Sequence, residues 1–141
     1  MAEKGNARPC LQEEVIYRPH DMLQLFDQEL IANTTPRISN AVECAPFRKF
    51  GLYCAVEFDG TADTINLKIE VEFLDRWTGQ WYHYKQGPFA ALFWEDTDTA
   101  NGIWECFQGD VLGRAIRVKL TGIGVATANH FHVSIAVDLW N

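Results

Sequence analysis

The sequence predicts an all-β fold, an antiparallel β-sandwich or jelly roll with an extended N-terminal arm, and three observations carry that reading. Ile65, Leu67, Ile69, Val71 and Phe73 fall at every second position, with Asn66, Lys68, Glu70 and Glu72 between them. This is the period of a strand with one buried and one wet face. The charge then runs into Asp75-Arg76-Trp77-Thr78-Gly79, beyond which Trp81, Tyr82, His83 and Tyr84 supply aromatic, strand-favouring residues. That pattern predicts a hairpin across Thr64 to Tyr84. Further alternating segments, punctuated by turn residues, recur at intervals of about ten residues, which is the signature of a sandwich or jelly roll.

Taken in order, residues 1–21 are polar, broken by Gly5, Pro9 and Pro19, and show no sustained period. They predict an arm, with residues 22–141 as the sandwich domain. Val15, Ile16 and Tyr17 are the arm's apolar cluster and its candidate partner-binding residues. Met22 to Ile31 fits neither period cleanly, and in a β chain it is assigned as extended. Asn33-Thr34-Thr35-Pro36 is a turn. Ile38, Asn40, Val42 and Cys44 alternate in a short segment ending at Pro46, which suits an edge. Phe50, Leu52, Cys54, Val56 and Phe58 make a second clear strand, and Asp59-Gly60 turns from it into the central one. The two are expected to be neighbours in one sheet. After Gly87-Pro88, residues 89–94 are apolar throughout and an acidic loop follows. Ile103 to Phe107 resumes a strand and Gly109-Asp110 is expected to turn. Ile116, Val118 and Leu120 alternate next, and Phe131, Val133, Ile135, Val137 and Leu139 close the chain.

With 141 residues the chain reads as one domain that buries enough surface to need no staples. Aromatic residues make up 13% of it, a surplus that points to a second buried surface such as a subunit interface. A formal charge of −7 repels phosphate backbones and anionic membranes, so no nucleic acid and no membrane is expected as partner. The N-terminus lacks the basic and apolar regions of a secretion signal, which predicts folding in a cytoplasm. Cys10, Cys44, Cys54 and Cys106 form no CxxC pair, and Cys44 and Cys54 read as buried small hydrophobes.

Three features are candidate chemistry. His130 and His132 flank Phe131, so their rings share a face and could hold a metal. No third ligand is identifiable in the sequence, and the expectation is a solvated strand face and no metal. Glu95, Asp96 and Asp98 loosely resemble a calcium loop without its fixed spacing, and read as a solvated acidic loop. Trp77, Trp81, Trp94, Trp104 and Trp140, with Tyr82 and Tyr84, could stack on sugars, although such rings more often fill cores and interfaces. No Gly-x-Ser-x-Gly, no phosphate-binding Gly-x-x-x-x-Gly-Lys loop and no motif pairing Cys with His is present. The chain reads as non-enzymatic, with no catalytic residues and no cofactor.

Ala32-Asn33-Thr34-Thr35, then Ala45-Pro46-Phe47-Arg48-Lys49-Phe50 opening a strand, the Trp77-x-x-x-Trp81 hairpin, and Gly113-Arg114-Ala115-Ile116-Arg117-Val118 together resemble small β-sandwich proteins of tailed bacteriophages. The chain is similar, over about residues 30–139, to their capsid decoration or cement proteins. The resemblance implies a homotrimer on the capsid exterior, made in the host cytoplasm, clamping the major capsid protein with an arm that reaches a neighbouring protomer. A carbohydrate- or receptor-binding module of a tail or head fibre is the alternative.

Overall fold

In the computed structural model, residues 22–61, 65–95, 99 and 102–141 are described, and the expected arm of residues 1–21, including Val15, Ile16 and Tyr17, lies outside them. Ten strands are present among the described residues: β1 (Met22–Ile31), β2 (Arg37–Ile38), β3 (Val42–Glu43), β4 (Lys49–Asp59), β5 (Asn66–Leu74), β6 (Trp81–His83), β7 (Leu92–Glu95), β8 (Ile103–Asp110), β9 (Ala115–Ile123) and β10 (His130–Trp140). They form two antiparallel sheets. The first has the order β1-β10-β4-β8, and the second the order β2-β9-β5-β6, with β3 also on β9 and β7 also on β5. The fold is an all-β sandwich.

The alternation read from the sequence sets which face each strand buries. Ile65 just before β5 and Leu67, Ile69, Val71 and Phe73 within it are buried, as are Phe50, Leu52, Cys54, Val56 and Phe58 of β4 and the five alternating residues of β10. These rows face one another across the two sheets, because each leaves its polar alternates on the outside. The expected adjacency of β4 and β5 is therefore corrected. β4 pairs with β10 and β8, whereas β5 pairs with β6, β7 and β9. Two half-apolar strands bury their faces equally well side by side or face to face, and here the connection after Asp59 crosses between the sheets.

The hairpin of β5 and β6 forms as predicted, and its turn explains the Asp75-x-x-Thr78-Gly79 sequence. The Asp75 carboxylate accepts the Trp77 and Thr78 backbone N–H at 3.0 and 2.6 Å and the Thr78 hydroxyl at 2.8 Å. The Thr78 bonds foremost hold its pKa below the ordinary carboxylate value. Gly79 supplies the positive φ of 76° that the turn requires.

Aromatic packing joins the sheets at one end. The Phe50 ring lies 5.6 Å from Phe73, 5.5 Å from Tyr84 and 5.2 Å from Phe89, between ring centroids. Phe107 continues the cluster to Phe89 and Trp94. Much of the aromatic surplus is thus spent inside the domain. The Tyr84 hydroxyl accepts the Asp110 N–H at 3.0 Å and donates to Gln86 Oε1 at 3.3 Å, which satisfies a phenol at the rim of the core. The expected turn at Gly109-Asp110 is corrected here, since both residues belong to β8. Gly109 is small because a Cβ there would stand 2.7 Å from the Phe50 ring. Its role is close approach.

The first strand is irregular. Its pairing with β10 shifts between Gln24 and Phe26 and again between Phe26 and Glu29. Gln28 takes a left-handed φ of 53°, and its backbone N–H donates to Ser134 Oγ at 2.9 Å. The segment Ile38 to Cys44, expected as one alternating run, is two short strands on β9. Between them Ser39 exchanges bonds with Val118: its N–H donates to the Val118 carbonyl and its hydroxyl accepts the Val118 N–H, both at 2.9 Å.

Cys44 and Cys54 are buried free thiols, as expected, and burial pushes both up to about 12. Neither should react with a thiol reagent at pH 8 in the folded chain, and both should react fully in denaturant. A native titration that labels either one quickly would contradict this packing. Phe50→Ala, which empties the centre of the aromatic cluster, should cost about 3–5 kcal/mol in urea denaturation.

Candidate functional site

The two outer faces of the sandwich differ in chemistry. On the second sheet, β5 sends Lys68, Glu70 and Glu72 outward opposite Arg117 and Lys119 of β9 and His83 of β6. Glu70 lies within 3.6 Å of Lys68 Nζ, 3.5 Å of His83 Nδ1 and 3.8 Å of Lys119 Nζ. Arg117 Nε donates to Glu72 at 2.7 Å, and its guanidinium stacks 4.0 Å from the Trp81 ring centroid. Opposite charges meet directly across the strands, so most of the charge on this face is internally paired, while His83 Nε2 is buried with no hydrogen-bond partner.

The first sheet's outer face is apolar at its middle. Its middle is floored by small residues, Ala55 of β4 with Ser134 and Ala136 of β10, and its walls are Trp104 and Cys106 of β8 with Tyr53. The register places Ala55 between Ser134 and Trp104, and Tyr53 between Ala136 and Cys106. Small centres between tall walls leave a groove of about 370 Å³. Trp104 is 77% exposed beside it. The rings of Trp140 and Tyr53 crowd Gly51 at one end, each 3.3 Å from where a Cβ would stand. Asp138 faces outward at that end yet is only 2% exposed, and it is the partner of Met22, where the chain enters β1. Cys106 is disulfide-bonded, and the other described cysteines, Cys44 and Cys54, are free.

A third feature sits at the tip where the connection after β4 meets the β9–β10 turn. His130 and His132 project from one face of β10, as the sequence predicts, and Asp59 lies directly across from His130 on β4. One ligand atom from each of the three falls within 4.8 Å of the others. Asp59 escaped sequence reasoning because only strand pairing brings it to the histidines; the turn signal of Asp59-Gly60 gave no hint of that register.

The remaining sequence candidates are dispersed. Trp94 is buried, Trp81 and Trp140 are half-buried, and Trp77 is 89% exposed on the hairpin turn. The tryptophans therefore form no common platform. Of the acidic loop, Glu95 ends β7, and Asp96 and Asp98 lie outside the described residues. A scan against protein-family models finds no match, and no curated protein or solved structure matches the chain.

The charge ladder makes one quantitative demand. Arg117→Ala removes an ion pair and a stacked cation from partly buried partners, and should cost about 1–2 kcal/mol in urea denaturation. Arg117→Lys should recover less than half of that, because an ammonium cannot reproduce a stacked planar guanidinium. Full recovery by lysine would reduce the contact to a simple charge effect.

Proposed function

We propose that this chain is a structural protein that binds other proteins, a capsid decoration protein of the tailed-bacteriophage kind that works as a homotrimer on the shell exterior. The observation that carries the reading is the apolar groove on the outer face of the first sheet, bounded by the exposed Trp104. Exposed aromatic and apolar side chains beside a preformed groove are the usual material of protein interfaces. The resemblance of residues 30–139 to cement proteins supplies the capsid as the partner surface.

The groove's occupant in this reading is the arm of a neighbouring protomer. The arm joins the same sheet at Met22, and 21 extended residues span at most roughly 70–75 Å, enough to cross to another copy. Val15, Ile16 and Tyr17 supply the apolar side chains that a floor of Ala55 and Ala136 can accept. A second reading is favoured by Trp104 alone: an exposed indole beside a groove can also stack on a sugar ring.

Light scattering and co-sedimentation with undecorated capsids test the proposal together. The full chain should run as a trimer and pellet with capsids. A chain lacking residues 1–21 should keep its β spectrum yet associate at least about tenfold more weakly, and Ile16→Asp should act in the same direction. A strictly monomeric full chain that also ignores capsids would overturn this reading, and binding on a glycan array that is lost in Trp104→Ala would establish the second one.

A further inference from the structure

Asp59, His130 and His132 are arranged as metal ligands rather than as a surface ion pair, and we propose that they bind one divalent transition-metal ion of the zinc class. The proposal stands independently of the capsid reading. A bare ion pair would use His130 and Asp59 alone, whose Nε2 and Oδ2 lie 3.6 Å apart. The structure adds a second imidazole, with ring centroids 5.0 Å apart and planes at 81°. That brings three donor atoms into one small volume.

The orientation of His130 is fixed from behind. Its Nδ1 lies 2.8 Å from the Thr127 carbonyl oxygen, which can only accept, so Nδ1 carries a proton and Nε2 is the nitrogen turned toward Asp59 and open to a metal ion. A ligating histidine held through its other nitrogen by a backbone carbonyl is the usual outer-shell arrangement of a metal site. The backbone beneath is also held. Asn129 Oδ1 accepts the Thr61 N–H at 3.0 Å, and Ala126 and Asn129 exchange backbone bonds at 2.9 and 3.0 Å. Gly60 permits this contact, because a Cβ there would stand 2.8 Å from the Ala128 carbonyl oxygen.

The donor set selects the ion. Two imidazoles and one carboxylate suit zinc, cobalt, nickel or copper, whereas calcium and magnesium take oxygen ligands. Donors bound tetrahedrally at about 2.0–2.1 Å stand roughly 3.3–3.4 Å apart, so the three must draw together by no more than about 1.5 Å. Rotation of the exposed Asp59 side chain can supply most of that. Three protein ligands leave at least one coordination position for water or for a donor from another molecule.

Calorimetric titration of the full chain with Zn²⁺, followed by the visible spectrum of the Co²⁺ form, tests the site. One ion should bind per chain. His130→Ala, His132→Ala and Asp59→Asn should each weaken binding at least about tenfold and remove the Co²⁺ bands, while far-ultraviolet circular dichroism stays unchanged. His83→Ala, which alters a histidine of the second sheet, should leave Zn²⁺ binding unchanged. Absence of binding by the full chain, or binding that survives in the His130→Ala/His132→Ala double variant, would overturn the proposal.

Discussion

Phe50 is the side chain on which the two sheets depend. It belongs to β4 in one sheet, touches Phe73 in the other, and is flanked by Tyr84 and Phe89 from the segments that follow the hairpin. β8 approaches it through Gly109, the position where only a hydrogen fits. Close packing of this kind leaves little room for adjustment. The cluster fixes how far apart the sheets stand, and with it the path of β8, whose outward Trp104 and Cys106 form a wall of the groove. The geometry of the outer face is therefore a consequence of packing on the inner one.

The sandwich also separates its chemistry by face. Glu70 and Glu72 find cations one strand away on the second sheet, and most of that surface's charge is internally paired. At the middle of the first sheet the outward positions carry alanine and serine, with glycine toward one end, which offer shape without charge. A face that pairs its own charges stays in water at no penalty, whereas an apolar groove gains from being covered. This asymmetry gives the domain one side toward which a protein partner is drawn, and it places the histidine and aspartate cluster on that side, at its tip.

The fold class was legible because alternation records burial directly: Ile65 to Phe73, Phe50 to Phe58 and Phe131 to Leu139 all have the predicted residues inside. Pairing was not legible, since the apolar rows of β4 and β5 look the same whether the strands lie side by side or face to face. Gly109 misled for a related reason, because a glycine needed for contact with Phe50 reads in sequence like a glycine needed for a turn. Two of the three members of the histidine and aspartate cluster could be seen in His130-x-His132. The carboxylate could not, because register across β4 and β10 is a property of the assembled sheet. The hairpin turn marked by Thr78 and Gly79, in contrast, is local and was readable, although the Asp75 carboxylate that ties it was not singled out.

The irregular pairing of β1 bears on how copies of this chain can join. The shifts at Gln24 and Phe26 and the left-handed Gln28 spoil that border of the first sheet as a template for another strand. The second sheet is bordered by two-residue strands on one side, and by three- and four-residue strands on the other. Among the described strands only β8, eight residues long, is a border strand that is both long and regularly paired. A unit with one adhesive border can join one other unit through it, and strand-to-strand addition then stops at a pair, so a trimer is held by contacts other than strand borders. Runaway fibre growth needs two such borders, and the kinks of β1 withhold the second.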